Sequence, residues 1–281
     1  MIQRRQISYS VLMSVYQKDN PDWLDIAMES MLQQSCPPSE FVLIEDGPLT
    51  EGLHTVIKSK QAAYPGILRT VPLERNQGLG LALRRGVEEC RYEWIARMDS
   101  DDYAQPNRIE KQLAAAQQHM ADIVGSDVYE FQGELTNRTA LRAFPETHEE
   151  LMRFARRKTP FAHPSVLMKK RRVLAAGNYT DAYLHEDYDL FLRMLAGGSR
   201  GYTVKEPLIL MRVNDNFYAR RGGIRYLVCL LRFNWKSYQN RWMGAGDFVV
   251  RSGGNILVCL LPNRLRIWIY KNLLRKHVPE G

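Results

Sequence analysis

Apolar and polar residues alternate in blocks along the first 120 residues. Tyr9-Ser10-Val11-Leu12-Met13-Ser14-Val15 is rich in β-forming residues. Glu40-Phe41-Val42-Leu43-Ile44-Glu45 is a near-continuous apolar run, stopped by Asp46-Gly47-Pro48. Residues 67–73 and 93–98 read as two further strands. Between the strands, residues 22–33 carry Trp23, Ile26, Ala27 and Met31 at helical spacing, and 51–61, 79–90 and 107–119 read as helices. Strands that are apolar throughout and separated by helices predict a parallel sheet covered on both faces. Right-handed crossovers bring the C-terminal ends of such strands to one rim, where ligands collect.

Further along, residues 123–131 and 138–144 read as two strands joined by a turn at Gly133-Glu134. A helix opens near Glu186, with Leu190, Met194 and Leu195 on its buried face. After Asn214 the chain turns to Arg, Trp, Tyr and Leu with few acids, which sets a boundary near residue 215. The organisation expected is an α/β domain over 1–215, with halves of about 1–120 and 121–215, and a basic helical extension over 216–281. There is no internal repeat and no low-complexity tract.

Charge sharpens that division. The 281 residues carry a net charge of +8, yet from Arg220 onward there are twelve Lys or Arg against Asp247 and Glu280 alone. The first 219 residues therefore balance at −2, and the basic character belongs to the extension. Such asymmetry points to an anionic surface as partner. Four scattered cysteines, Cys36, Cys90, Cys229 and Cys259, have no metal-type spacing and read as thiols of a reducing compartment. The N-terminus has no apolar signal region, and no apolar run approaches the ~20 residues that span a bilayer.

The candidate chemistry sits at the strand ends. Met98-Asp99-Ser100-Asp101-Asp102 follows a short strand and crowds three carboxylates into four positions. Two readings fit: a hard divalent cation held by oxygen ligands, or a solvated acidic loop capping the next helix. Val15-Tyr16, Glu45-Asp46-Gly47 and Arg75-Asn76 end strands at the same rim. Glu186 and Asp187 read either as first-turn acids favoured by the helix dipole or as catalytic carboxylates.

With Ser10 to Tyr16, Glu45-Asp46-Gly47, Asn76-Gln77-Gly78-Leu79, Met98 to Asp102 and Glu186-Asp187-Tyr188-Asp189 in this order, the chain resembles family 2 glycosyltransferases of the GT-A fold. Within the family it is most similar to bacterial exopolysaccharide enzymes of the colanic-acid and amylovoran type. The resemblance covers roughly residues 8–215. It implies a Rossmann-like, mostly parallel sheet flanked by helices, and a nucleotide-diphosphate sugar, a UDP-sugar, as donor. It makes residues 1–120 the nucleotide-sugar half and 121–215 the acceptor half. Asp101, with Asp99, would hold Mn²⁺ or Mg²⁺, with Ser100 and Asp102 beside it. Asp46, Val15, Tyr16, Asn76 and Gly78 would contact the nucleoside. Arg84 stands where the family often has Asn, and would reach a phosphate instead. Asp187 would be the general base of an inverting transfer, with Glu186 as the alternative. His163 and His185 would lie on the acceptor side, and Arg220 would clamp the diphosphate or, with Arg221, begin the basic surface.

The extension is expected to form two amphipathic helices, over 224–238 and 256–274, in which Arg and Lys rim Leu, Ile and Trp. Interfacial helices on anionic lipid and helices packed on the domain both fit. Interleaved aliphatics argue against nucleic acid. The acceptor implied is a polyprenyl-diphosphate-linked saccharide, and the location implied is the cytoplasmic face of the inner membrane. The competing reading is a non-catalytic sugar-nucleotide-binding or assembly protein at the membrane. A dinucleotide oxidoreductase fails because Gly78-Leu79-Gly80 lacks its third glycine and follows the third strand. An Asp-x-Asp phosphatase fails because the first strand ends in Val15-Tyr16.

Overall fold

The computed structural model describes residues 7–182, 184–213, 222–262 and 265. Its first half follows the hydrophobic pattern closely. β1 (Tyr9–Val15), β2 (Glu40–Glu45), β3 (Leu68–Pro72) and β4 (Trp94–Arg97) pair in parallel in the order β3-β2-β1-β4. They alternate with α1 (Pro21–Leu32), α2 (Glu51–Ala63) and α3 (Leu79–Glu89). Local sequence starts the helices. Asn20 caps α1 by accepting from the Asp22 and Trp23 N–H groups ahead of Pro21, and Thr50 caps α2 through Leu53.

The second half is mixed. The sheet continues as β4-β8-β6-β9-β5, with β7 paired to β6 off that path. β5 is Tyr103–Ala104, β6 Ile123–Phe131, β7 Arg138–Arg142, β8 Leu167–Lys169 and β9 Gly201–Arg212. β8 runs antiparallel to both β4 and β6, whereas β6 and β9 are parallel. Here lie α4 (Arg108–Gln118), α5 (His148–Ala155), α6 (Lys170–Ala175) and α7 (Glu186–Ala196).

Two apolar layers sandwich the sheet. On one face Val11, Met13 and Val15 of β1 pack with Leu24 and Met28 of α1, Leu53 of α2 and Ile109 of α4. On the other, Leu12, Val42 and Ile44 pack with Leu83 and Val87 of α3 and with Leu190 and Phe191 of α7. Adjacent residues of β1 thus face opposite layers, as strand geometry requires.

The C-terminal region adds α8 (Ile224–Gln239) and α9 (Ala245–Leu260). α8 buries Phe233 in the α3/α7 layer. The helix expected over 256–274 does not form as one element: α9 ends at Leu260, and Leu261 turns extended (φ −67°, ψ 146°) ahead of Pro262. The ring of Pro262 disfavours helix at the residue before it. Residues 263–264 and 266–274 of that expected helix, and Arg220 and Arg221, lie outside the described residues. Among the described residues no helix is long and apolar enough to cross a membrane.

Candidate active site

β4 delivers its acidic sequel to the C-terminal rim of the parallel strands. Carboxylate oxygens of Asp99, Asp101 and Asp102 all lie within 4.8 Å of one another. Asp102 is almost fully buried; its Oδ1 accepts the Arg212 backbone N–H at 2.8 Å, and its Oδ2 has no hydrogen-bond partner. Arg212 also donates from Nε to the Asp101 carbonyl (3.0 Å) and from Nη1 to the Gly133 carbonyl (2.9 Å). Its guanidinium lies 4.5 Å from the ring centroids of both Trp23 and Phe131. The end of β9 thereby fixes the acidic loop.

Crowding has an electrostatic consequence. Burial, then the charges of Asp99 and Asp19, push the Asp101 carboxyl up to about 7. Burial and the charges of Asp101 and Asp99 raise Asp102 well above the usual carboxylate range. Three hard oxygen donors that repel one another, one with an orphaned buried oxygen, suit a divalent cation such as Mg²⁺ or Mn²⁺.

Asp19, on the loop after β1, belongs to the same cluster although sequence reasoning did not single it out. Its Oδ2 accepts from the Ser100 hydroxyl (2.9 Å) and the Tyr16 N–H (3.1 Å). Burial is the main cause that raises it to about 6. The available signal was a carboxylate four residues beyond a strand already assigned to this rim.

Arg97 joins the acids to α7. It is 1% exposed and ion-pairs with Asp99, while its Nε and Nη1 find no hydrogen-bond partner. Its charge also acts on Tyr179, His163 and Glu186. Tyr179 hydroxyl and His163 Nε2 share a hydrogen bond of 3.0 Å. Burial and the neighbouring guanidinium hold the His163 imidazole well below its ordinary value, so it is neutral. Glu186 is pushed up to about 7 by burial and then by Asp187, with a smaller contribution from Asp99. Asp187 accepts from the Tyr188 N–H at 2.6 Å. Sequence reasoning missed Arg97 and Tyr179; Arg97 immediately precedes the acidic peptide as a strand-end cation, but nothing marked it as buried.

The glycine loops bring α3 to this site. Gly80 lies so close to the segment before α7 that a Cβ there would stand 2.5 Å from the Thr180 carbonyl oxygen and 3.3 Å from Glu186 Cβ. Gly47 (φ +88°) lies against Asn76, and a Cβ would meet the Asn76 nitrogen at 2.6 Å. Asp46 ties these loops together: Oδ1 accepts from Gln77 N–H (2.7 Å) and Oδ2 from Gly78 N–H (3.0 Å). Asn76 Nδ2 donates back to the Asp46 carbonyl at 3.2 Å. Both Asp46 oxygens thus hold the loop that borders the rim. Val15 is buried and receives the Asp46 N–H, while Tyr16 is 36% exposed at the rim.

Arg84 does not join this group. Its half-exposed side chain lies 3.7 Å from Glu88, one turn further along α3, an i,i+4 pair on one helix face. His185 precedes α7 and stacks on Phe233 of α8 with centroids 4.7 Å apart. Arg220 is outside the described residues.

Residues 10–177 match the Glycosyl transferase family 2. The chain is 34% identical over 269 residues to the UDP-Gal:alpha-D-GlcNAc-diphosphoundecaprenol beta-1,3-galactosyltransferase of Escherichia coli, covering 95% of this chain and 97% of that protein. It is 36% identical over 268 residues to the amylovoran biosynthesis glycosyltransferase AmsE of Erwinia amylovora, covering 94% and 98%. Among solved structures, the mannosyltransferase PcManGT from Pyrobaculum calidifontis, in complex with GDP-Man and Mn²⁺, superimposes with a TM-score of 0.64 at 13% identity, over 94% of this chain and 73% of that one. The shared architecture is the GT-A fold. A rim carrying Asp99, Asp101 and Asp102 opposite Glu186 and Asp187, on that fold and within that sequence match, makes this chain a member of glycosyltransferase family 2.

Proposed function

We propose that the protein transfers a sugar, with inversion, from a UDP-sugar to a saccharide carried on a polyprenyl diphosphate, in surface polysaccharide synthesis. The observation that carries this reading is the approach of two acidic sets at one rim: Asp99, Asp101 and Asp102 cluster within 4.8 Å of one another, and the close packing of Gly80 on Glu186 and Thr180 brings the start of α7 against α3, with Arg97 ion-paired to Asp99. The near full-length similarity to a galactosyltransferase whose name specifies a UDP-Gal donor and a diphosphoundecaprenol acceptor supports both substrate classes. Residues 1–120 form the donor half, 121–215 the acceptor half and 216–281 the extension.

Asp99, Asp101 and Asp102 would hold Mn²⁺ or Mg²⁺, which when bound neutralises charge on the diphosphate. The remaining chemistry belongs to the chain. Val15, Tyr16, Asn76 and Gly78 border the nucleoside, and Asp46 shapes their loop by holding two of its N–H groups. The acceptor hydroxyl oxygen bonds to the anomeric carbon as the bond from that carbon to the diphosphate oxygen breaks. Its proton passes to the Asp187 carboxylate, and the electron pair leaves with UDP. A carboxylate base works best with its pKa near the working pH. Glu186, the alternative base, approaches that condition, because burial and the charge of Asp187 raise it to about 7. Arg97 supplies a fixed positive charge between donor and base, and His163, neutral and bonded to Tyr179, braces the acceptor side.

The extension would hold the enzyme on the cytoplasmic face of the inner membrane. Trp235, Val249 and Val250 are more than half exposed on α8 and α9, within the basic segment. Calorimetric titration of UDP with and without Mn²⁺, beside Asp101→Asn, tests the donor site. Binding that needs the metal and disappears in the variant is the expected result; metal-independent binding would remove the assigned ligand set. Asp187→Asn separates enzyme from sensor: it should abolish transfer and keep UDP binding, whereas transfer near the wild-type rate would displace Asp187 as base.

A further inference from the structure

Beside the N-terminus of α7 the protein has a groove that the transfer chemistry described above does not use. It encloses about 430 Å³ between residues 180–182, His185 and the inner face of α8. α8 contributes Cys229, Arg232, Phe233 and Lys236, at positions i, i+3, i+4 and i+7 and so on one helix face. The Arg232 and Lys236 cations stand one turn apart along it. Lys236 is held in place, with Nζ 2.5 Å from Oδ1 of the fully buried Asp189. Asp189 is itself fixed by Thr180 (3.1 Å) and Arg193 (2.9 Å). Asp181 is the one acid in the lining and is exposed.

We infer that this groove receives the diphosphate of the lipid-linked acceptor, a site that rests on the acceptor class proposed above. The chemistry of such an acceptor runs sugar, diphosphate, polyprenyl chain, and the surface offers matching groups in the same order. The sugar end meets Glu186 and Asp187, because His185 of the groove is their immediate neighbour. The diphosphate meets Arg232, whose planar fork suits phosphate oxygens, and Lys236 beside it. Beyond Cys229 the N-terminal end of α8 approaches the C-terminal end of α9, where Gly223 N–H donates to the Cys259 carbonyl at 3.2 Å. That corner exposes Ile224 (73%), Leu257 (67%) and Leu260 (62%), an apolar exit for the lipid. The donor's diphosphate has a separate place, at the acidic cluster after β4.

The test uses the full chain, a UDP-sugar that the wild type transfers, and two soluble acceptors: N-acetylglucosamine α-linked through a diphosphate to a short alkyl chain, and the same sugar linked directly to that chain. Arg232→Ala should raise the KM of the diphosphate acceptor at least tenfold and move that of the plain glycoside less than twofold. Arg232→Lys should recover part of the loss. Equal effects on both acceptors, or a raised KM for the UDP-sugar instead, would overturn the assignment. Thermal melts of each variant separate loss of contact from loss of fold. If the wild type transfers to neither acceptor with any UDP-sugar, the proposed function fails. The groove is then read directly by calorimetry with the diphosphate acceptor: weaker binding by Arg232→Ala upholds the subsite, and unchanged binding overturns it.

Discussion

At the residue scale the site is a cluster of acids raised by burial. Asp19, Asp101 and Glu186 stand at about 6, 7 and 7, each with burial as the first cause. A carboxyl whose folded value is raised keeps a proton that the unfolded chain has given up. Its stabilisation is complete below the ordinary carboxylate range and is lost as pH rises through its folded value. The metal-free protein should therefore melt lower at pH 8 than at pH 5, by a free energy on the order of 1–3 kcal/mol per affected group. Mn²⁺ favours the ionised forms, so its stabilising effect should be larger at pH 8 than at pH 5. Scanning calorimetry on wild type and Asp101→Asn checks both; the variant should flatten the pH slope and the metal response, and a metal effect greater at pH 5 would refute the account. Arg97 offers the complementary test. Arg97→Met strands Asp99 and leaves the acids without their buried cation, and should cost about 3–5 kcal/mol in urea unfolding. A cost below 1 kcal/mol would mean the charge is well screened. The acidic peptide was legible because three carboxylates in four positions are rare in a buried strand's sequel. Asp19, Arg97 and Tyr179 were not legible, because their roles depend on which loops and strands meet, which no local pattern encodes.

At the element scale the close approach of α3 to α7 unites the proposed donor and base sides, and a single missing side chain permits it. Gly80 faces the Thr180 backbone, which cannot swing aside as a side chain could. Gly80→Ala should separate the two helix starts, cost about 1–3 kcal/mol of stability and reduce transfer more than it reduces UDP binding. Urea unfolding and initial-rate kinetics read the two effects, and unchanged transfer would show that Glu186 does not depend on α3 for its position. The elements that sequence patterning found are those with a clear apolar period or run: β1 to β4, α1 to α4, the β6/β7 pair and α7. β9 escaped it. Its run Gly201–Arg212 contains Lys205-Glu206-Pro207, and proline inside a strand pattern argues against a strand. The chain accommodates Pro207 at a register shift opposite Asp127, between the pairs Ser126–Val204 and Val128–Ile209. Lys205 bonds the Asp127 carboxylate there at 2.8 Å. β8 is three residues long and takes its identity from the neighbours it pairs with. α5 did carry a readable start, the Thr147–Glu150 capping box, in a helix of only eight residues.

Across the whole molecule charge and apolar exposure coincide at the C-terminal end. The segment from Arg220 holds twelve basic residues and two acids, and α8 and α9 add exposed Trp235, Val249 and Val250. Packing on the domain and meeting a membrane turn out to be compatible, since different faces serve them. Phe233, Asn234 and Ser237 are the buried residues of α8, and Arg251 of α9 lies 4.6 Å over the Tyr188 ring and donates to its hydroxyl at 3.1 Å. The outward residues remain free to enter an interface, where each basic side chain near anionic lipid contributes about 1 kcal/mol and apolar burial adds to it. The protein should therefore sediment with phosphatidylglycerol vesicles and not with phosphatidylcholine vesicles, and release partly as salt is raised, since screening weakens only the electrostatic part. Val249→Glu with Val250→Glu removes apolar contact and adds repulsion at once, and should abolish sedimentation with anionic vesicles at physiological salt while the melting temperature stays within a few degrees. Undiminished sedimentation of that variant would assign membrane contact to another surface. Binding by the wild type that does not distinguish the two lipids would instead make the extension's positive charge irrelevant to its location.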